Sequence, residues 1–435
     1  MIMSDYNEIY RLFNAADNTL NCNTAYPVFK GEFMPFKKNI DLFENVHELS
    51  FYIHVPFCHQ FCSFCEYTKF LSGNQYEERL YLDAMEIQIR DFLQTHQVNM
   101  LRGFDIGGGT PTALSDANFK RILQMQLNVE NQIQIAEDFE KSIECSFPTL
   151  NIEKIYMIGE AGFKRVSGGL QYVDRHLEEK MRRESDPISR IAEKTDLLHK
   201  IGVDKVNLDL MYGIPGQQED ALLNTLEAVM KILPDQVTVY ETRFNRTSLE
   251  HHGINREVQY GQYCLIFDYL TEHGYKSRFG SNTFSLQGDV GVSSYIKGRM
   301  TEAVPYKGFG PSAQSMTDRG ISYEILKNTT QTRYPKDAEW SRRTVYELPP
   351  EEIMAKYICI ALYSGQFDAN TASRLLRNDF RMRYRDELEF LISSGYAKWA
   401  GDYVQLTRKG FRFYGAIGAL FWSEKQKQML LEMND

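Results

Sequence analysis

The chain has no run approaching the ~18 consecutive apolar residues that a helix needs to cross a bilayer. Its first residues, Met1-Ile-Met-Ser-Asp-Tyr-Asn-Glu, lack the basic-then-apolar order of a secretory leader, so the expected compartment is the cytoplasm. Basic charge is in short supply too. Lys and Arg number 49 against 58 Asp and Glu, a net charge of −9, which argues against nucleic acid or an anionic membrane as the main partner. Cysteine is sparse and odd in number, 7 in 435 residues, and in a reducing compartment a clustered set reads as metal-binding or catalytic before it reads as disulfide. There is no low-complexity segment and no internal repeat beyond an alternation of strand and helix. Hydrophobic residues make up 43% of the chain, enough for one large domain and a smaller one.

Short β-type runs recur at 50–55, 103–106, 142–146, 165–170, 204–210 and 236–240. Between them, 75–95, 187–201, 219–233 and 259–273 carry apolar residues at the three- and four-residue spacing of amphipathic helices. This alternation predicts an α/β fold with a parallel sheet, a partial (β/α)6 TIM-like barrel. Residues 1–45 read as an extended arm, 46–330 as the barrel with an extension, and 340–435 as a helical, winged-helix-like domain. In that tail, helices at 350–363, 369–378 and 384–394 precede a hairpin turning at Gly401-Asp402. In parallel α/β folds ligands sit at the C-terminal strand ends, and here those ends carry a cysteine cluster, Gly107-Gly-Gly109, Glu144, Gln171, Asp209 and Tyr240-Glu241.

Cys58, Cys62 and Cys65 lie on a loop at C-x3-C-x2-C spacing. Three thiolates can hold a [4Fe–4S] cube by three irons and leave the fourth open. A zinc site is the rival, with a redox thiol pair or chance spacing behind it, although structural zinc wants four ligands. The other cysteines, Cys22, Cys145, Cys264 and Cys359, read as core. Each site residue also has a plainer reading. The triple glycine could be a tight turn, Glu144 a solvated carboxylate, His54 a core histidine, and Arg183 part of a solvated charged helix. Asp209, amid apolar neighbours, needs a partner to be tolerated. Arg374, Arg377, Arg381, Arg383 and Arg385 read as a substrate lid rather than a DNA-reading surface.

With Phe64 just before the last cysteine, this pattern resembles the cluster loop of radical S-adenosylmethionine enzymes. More narrowly the chain is similar to the oxygen-independent coproporphyrinogen III dehydrogenase family, through Tyr52-Ile-His-Val-Pro-Phe-Cys58, Gly107-Gly-Gly-Thr-Pro-Thr112, Arg165-Val-Ser-Gly-Gly-Leu-Gln171, Asn207-Leu-Asp-Leu-Met-Tyr-Gly-Ile-Pro215 and Gly308-Phe-Gly-Pro-Ser-Ala313. The resemblance implies a [4Fe–4S] cluster on the three cysteines. It implies S-adenosylmethionine on the open iron, reductively cleaved to a radical that takes hydrogen from the substrate. Tyr52, Gly108 and Glu144 match contacts to that molecule. Phe64, Gly109, Thr110, Gln171, Arg183 and Asp209 match a second S-adenosylmethionine site, with Met211, Arg243 and Gln314 as further cofactor contacts. Tyr52, His54, Glu241 and Arg243 are the candidate catalytic residues, and a flavodoxin- or ferredoxin-type protein is the implied electron donor.

The chain departs from the family at four places, the first its N-terminal arm, where Thr24-Ala-Tyr-Pro27 is a partial echo of the pattern. Tyr67 stands where a further cysteine is expected. Arg243 falls where the decarboxylating members place a small residue, and its guanidinium needs an acceptor: a cofactor carboxylate, a substrate carboxylate or Glu241. The His-Asn pair of the haem-chaperone branch is missing, since Val292-Ser-Ser-Tyr-Ile-Lys297 occupies its place. These departures lead to the expectation that the second cofactor donates a methyl or methylene group to a carbon of an aromatic, polyene or tetrapyrrole substrate. Coproporphyrinogen decarboxylation, haem binding and DNA-binding redox sensing follow as alternatives.

Overall fold

The computed structural model describes residues 6–433 apart from 20–25, 28–29, 244–246, 250–252, 254, 288–291, 325–333 and 335–342. Six strands lie side by side in chain order and pair in parallel: β1 (Glu48–Val55), β2 (Met100–Gly108), β3 (Lys141–Cys145), β4 (Arg165–Gln171), β5 (Lys205–Tyr212) and β6 (Gln236–Glu241). In β1 only Glu48 is exposed and only Tyr52 half-buried, the near-continuous burial of a strand covered on both faces. Helix α1 (Tyr6–Thr19) precedes the sheet. A helix then follows each strand: α2 (Gln75–Thr95), α3 (Asp116–Glu130), α4 (Ile152–Glu160), α5 (Ile188–Lys200), α6 (Glu219–Ile232) and α7 (Arg256–Glu272). Unbroken strand order with a helix at every crossover is the winding of a partial (β/α)6 barrel, and all six C-terminal strand ends open at the same rim.

The sheet grows further at its β1 edge. β7 (Tyr306–Phe309) pairs parallel to β1, and β8 (Gln314–Thr317), β9 (Gly320–Glu324) and β10 (Arg343–Glu347) continue antiparallel. The sheet therefore runs past residue 340, and the tail begins after Glu347. Lys37–Lys38 pairs with β10, so the N-terminal segment is stitched into the main sheet. Nor is that segment wholly extended: α1 packs on the C-terminal tail, with Phe13 stacked 4.9 Å from Tyr396 and edge-on to Phe390 at 5.5 Å. Lys356 Nζ donates to Tyr26 O at 2.7 Å and holds the two chain ends together. The tail has the expected order: helices Pro350–Ala361, Ala369–Leu376 and Arg385–Ser393, and a hairpin of Ala397–Ala400 with Tyr403–Leu406 that turns at left-handed Gly401. Two of its arginines make contacts within the protein. Arg374 donates to Glu302 O, and Arg381 pairs with Asp402 and covers Trp399. Among the described residues, no helix is long and apolar enough to cross a membrane.

An aromatic knot joins β1 to its neighbours. Phe51, fully buried, meets Phe92, Phe104 and Phe309 edge-to-face at 5.7, 5.8 and 5.2 Å. Phe51→Ala is expected to cost about 3–5 kcal/mol through lost burial and a cavity, read as a fall in the urea midpoint.

Candidate active site

β1 ends at Val55 and the chain turns straight into the cysteine loop. Phe57–Cys58 pairs with Phe70–Leu71, so Cys58 is held at the strand end while residues 59–69 form a loop above it. Phe70 N to Pro56 O at 2.7 Å and Ser72 N to Cys58 O at 2.9 Å close the loop, and Cys65 N to Cys62 O at 3.3 Å tightens its turn. Cys58 is buried, and Cys62 and Cys65 are half-buried. Donors point at the sulfurs: Thr110 Oγ1 lies 3.8 Å from Cys58 Sγ, and Arg183 Nη1 lies 3.6 Å from Cys62 Sγ. Burial pushes the Cys58 thiol up to about 12, with Thr110 opposing and the other two cysteines adding to the rise. Such a thiol ionises when metal cations compensate it. Among the described residues, no three His, Cys, Asp or Glu side chains are set to hold a single metal ion. A cube places its three thiolates on three different irons, and a three-thiol loop with hydrogen-bond donors fits that demand.

The glycine turn at the end of β2 is forced by its neighbours. A Cβ on Gly107 would stand 2.6 Å from the Glu144 carboxyl, one on Gly108 2.7 Å from the His54 ring, and one on Gly109 2.9 Å from Cys58 Sγ. Gly108 has φ +110°, a conformation that L residues rarely adopt. Its N–H donates to Glu144 Oε2 at 2.9 Å. Glu144 points into the rim, exposed to the lumen although protein surrounds it. This enclosure pushes its carboxyl up to about 7, Asp209 adds to the rise, and the Gly108 N–H opposes it. His54 is buried at 3% exposure, and burial lowers its pKa to about 4, so the ring is neutral. Tyr52 reaches His54 Nδ1 at 3.4 Å and stacks on Tyr295 at 5.6 Å.

A second group gathers across the rim around Gly169. A Cβ there would collide with Arg183 Nη2 at 2.5 Å and Gln171 Nε2 at 2.6 Å. Arg183 Nη2 donates to Gly169 O at 3.0 Å, and Asp209 is the register partner of Gly169 on β5. Asp209 accepts from Asn207 Nδ2 at 2.7 Å and Ser167 Oγ at 3.2 Å, yet burial still raises its carboxyl to about 6. Phe64 and Met211 join a small apolar cluster with Tyr172 and Met181.

Residues 52–229 match the model of the radical SAM superfamily. The chain carries a radical SAM domain. It is 31% identical over 197 residues to the oxygen-independent coproporphyrinogen III oxidase of Escherichia coli (strain K12), covering 44% of this chain and 41% of that relative. The matched stretch thus spans less than half of that protein. The heme chaperone HemW of Lactococcus lactis aligns over 363 residues at 24% identity, 76% of this chain and 91% of the relative. Among solved structures, coproporphyrinogen III oxidase (HemN) from Escherichia coli has TM-score 0.69 at 22% identity, covering 86% of this chain and 90% of that one, which is a likeness of fold.

Three of the expected contacts are engaged by other groups of the protein. Arg243 has its acceptor within the protein: Nη1 pairs with Glu66 at 3.0 Å and Nη2 donates to Tyr363 OH at 3.2 Å. Glu66 is an acceptor beyond the three that the sequence offered, and the Arg243 charge also eases the raised Glu241 carboxyl. Glu66, the residue after Cys65, supplied no sequence signal beyond its charge. Glu241 accepts from Tyr414 OH of the tail, and burial raises its carboxyl to about 7. The Gln314 amide lies between Tyr306 OH and Tyr323 OH, each at 3.1 Å, and not on the cysteine loop. Two floor residues escaped the sequence reading. Arg165 donates to Ser142 Oγ and Gln236 Oε1, both at 3.0 Å, and its charge lowers the pKa of Asp105, Glu144 and Asp209 alike. Asp105, 8% exposed, accepts from Ser293 Oγ at 2.6 Å, and a carboxylate within Phe104-Asp-Ile106 is the same signal that singled out Asp209.

Two outcomes are expected. Cys62→Ala, reconstituted anaerobically, loses the iron–sulfur absorption and most bound iron while its far-ultraviolet dichroism stays native. Burial raises the Asp105 carboxyl from 3.8 to about 8. Between those pH values the native state holds a proton that the unfolded chain has released, so stability falls as pH rises, by up to ~1.4 kcal/mol per unit. Asp105→Asn flattens that fall in urea titrations across the same window.

Proposed function

We propose that this protein is a radical SAM enzyme acting on a tetrapyrrole, with oxidative decarboxylation of coproporphyrinogen III as the reaction it resembles most. The observation that carries the reading is the convergence of Cys58, Cys62 and Cys65 with Gly108, Glu144 and Arg183 at one rim of a partial barrel. The likeness in fold and sequence to the coproporphyrinogen oxidases supports the substrate class. In this reading the three cysteines hold a [4Fe–4S] cluster, and Gly108, Glu144 and Tyr52 orient the S-adenosylmethionine bound to it. When bound, that pair supplies a carbon radical able to take a hydrogen atom from an unreactive carbon. The chain's own part is to enclose and orient. Thr110 and Arg183 donate toward the thiolate sulfurs, Glu144 accepts from groups facing it, and neutral His54 backs the Gly108 turn. A flavodoxin- or ferredoxin-type donor would deliver the electron.

Methyl or methylene transfer, placed first from the sequence, moves behind this reading. It rested on two matching cofactor sites together with departures from the decarboxylating members, among them Arg243, which here pairs with Glu66. What still favours it is the group of Gln171, Arg183 and Asp209 around Gly169, suited to a second S-adenosylmethionine. Haem binding is favoured by the coverage of the heme chaperone relative. One experiment separates the three. Reconstituted protein is incubated anaerobically with reductant, S-adenosylmethionine and coproporphyrinogen III, and products are followed by mass spectrometry, with a parallel haem titration. The expected result is loss of one or two carboxyl groups from the substrate, with 5′-deoxyadenosine formed. Unchanged porphyrinogen with S-adenosylhomocysteine accumulating restores alkyl transfer, and tight haem binding without turnover supports a chaperone.

A further inference from the structure

Among the described residues, Arg299 is a cation without an anion. It stands on a π-helical turn, Gly298–Glu302, a geometry that re-aims side chains and recurs at functional sites. The residue is half-buried, and its Nε is buried with no acceptor. The groups acting on it are tyrosines: Tyr306, whose ring centre is 4.9 Å from the guanidinium carbon, Tyr295 and Tyr67. Among the described residues no Asp or Glu forms an ion pair with it. Glu302 pairs with Arg102, and Asp105 accepts from Ser293 through one oxygen while its other oxygen is buried without a partner. A guanidinium enclosed by protein without a counter-ion is costly, and its retention asks for an anionic partner.

The surroundings say what kind of partner. Tyr295 stacks on Tyr52 at 5.6 Å with ring planes 15° apart and meets Tyr306 edge-on at 5.7 Å. Tyr52 in turn reaches His54 at the glycine turn. A chain of aromatic rings, Tyr306 and Tyr295 buried and Tyr52 half-buried, thus leads from Arg299 to the rim where the cysteines and Glu144 lie. Gln314 bridges Tyr306 and Tyr323 and fixes the far end of these rings. This combination suits a ligand with a flat unsaturated body and a carboxylate.

We propose that Arg299 is a carboxylate anchor for the substrate, gripping an acid side arm while the unsaturated body lies against Tyr52, which the buried Tyr295 backs. The proposal deepens the tetrapyrrole reading and rests on it for the substrate's identity.

The test uses the anaerobically reconstituted full-length protein and binding rather than turnover. Coproporphyrin III and its tetramethyl ester are titrated by fluorescence into wild type, Arg299→Gln and Arg299→Lys, and S-adenosylmethionine binding is measured by equilibrium dialysis. The wild type is expected to prefer the acid over the ester. Arg299→Gln is expected to lose acid affinity about tenfold to a hundredfold, the worth of a charge-assisted hydrogen bond. Affinity for the ester and for S-adenosylmethionine stays unchanged, and Arg299→Lys retains part of the preference. A preference that survives in Arg299→Gln overturns the anchor while leaving the tetrapyrrole reading intact. Weakened S-adenosylmethionine binding alone assigns the carboxylate to the cofactor and also overturns it. If the wild type binds neither porphyrin, the tetrapyrrole reading fails, and 1-pyrenebutyrate against its methyl ester decides the anchor: selective loss of the acid in Arg299→Gln supports it, and no difference defeats it.

Discussion

The rim depends on three missing side chains. At Gly107, Gly108 and Gly109 the backbone passes so close to Glu144, His54 and Cys58 that a Cβ at any of them would lie under 3.0 Å from its neighbour. Because no side chain intervenes, the Gly108 N–H reaches the Glu144 carboxyl, and Gly109 N and Thr110 N bond Val55 O and Phe57 O, each at 2.7 Å. Those two bonds seat the base of the cysteine loop on the end of β2. Cluster loop and strand-end carboxylate are thus positioned by the same three residues. Gly169 repeats the device across the rim, where its bare Cα admits both Arg183 and Gln171.

The lumen beneath is a polar space with the wrong charge for its depth. Burial pushes the carboxyls of Asp105, Glu144 and Asp209 up to about 8, 7 and 6, and Arg165 is the fixed cation that eases all three. Carboxyls poised near neutrality beside a set of thiols are what a barrel built for a charged cofactor requires, since the ligand supplies charges that the protein leaves unbalanced. The N-terminal helix and the tail close this assembly from outside through Phe13, Tyr26 and Lys356. The tail also reaches the rim directly, by Tyr414 on Glu241 and Tyr363 on Arg243.

The barrel was legible because its signals are local. Each of the six strands lies within a few residues of its sequence-read place, and Gln75–Thr95 coincides with the helix expected there. Helices Asp116–Glu130 and Ile152–Glu160 went unread, as did α1, whose apolar face is completed by the distant tail. The antiparallel extension was equally hidden, because β8 to β10 are short strands whose meaning comes from pairing with one another. At the site, the cysteine spacing and the glycine run announced themselves. Asp105 was as conspicuous as Asp209 and was passed over, whereas Arg165 opens a strand and looks solvated until Ser142 and Gln236 are seen beside it.

Sequence alone determined the cysteine triad, the strand–helix winding and the rim at which the chemistry-bearing residues emerge, since each rests on spacing within a short stretch of chain. Tertiary structure alone decided the partners. Glu66 and Arg243 lie 177 positions apart, and Tyr414 and Glu241 173. Which acceptor satisfies a guanidinium, and which guanidinium is left without one, depends on distances that no local pattern encodes. Arg243 looked unpaired and is not, while Arg299, unremarked in the sequence, lies among tyrosines and pairs with no carboxylate among the described residues.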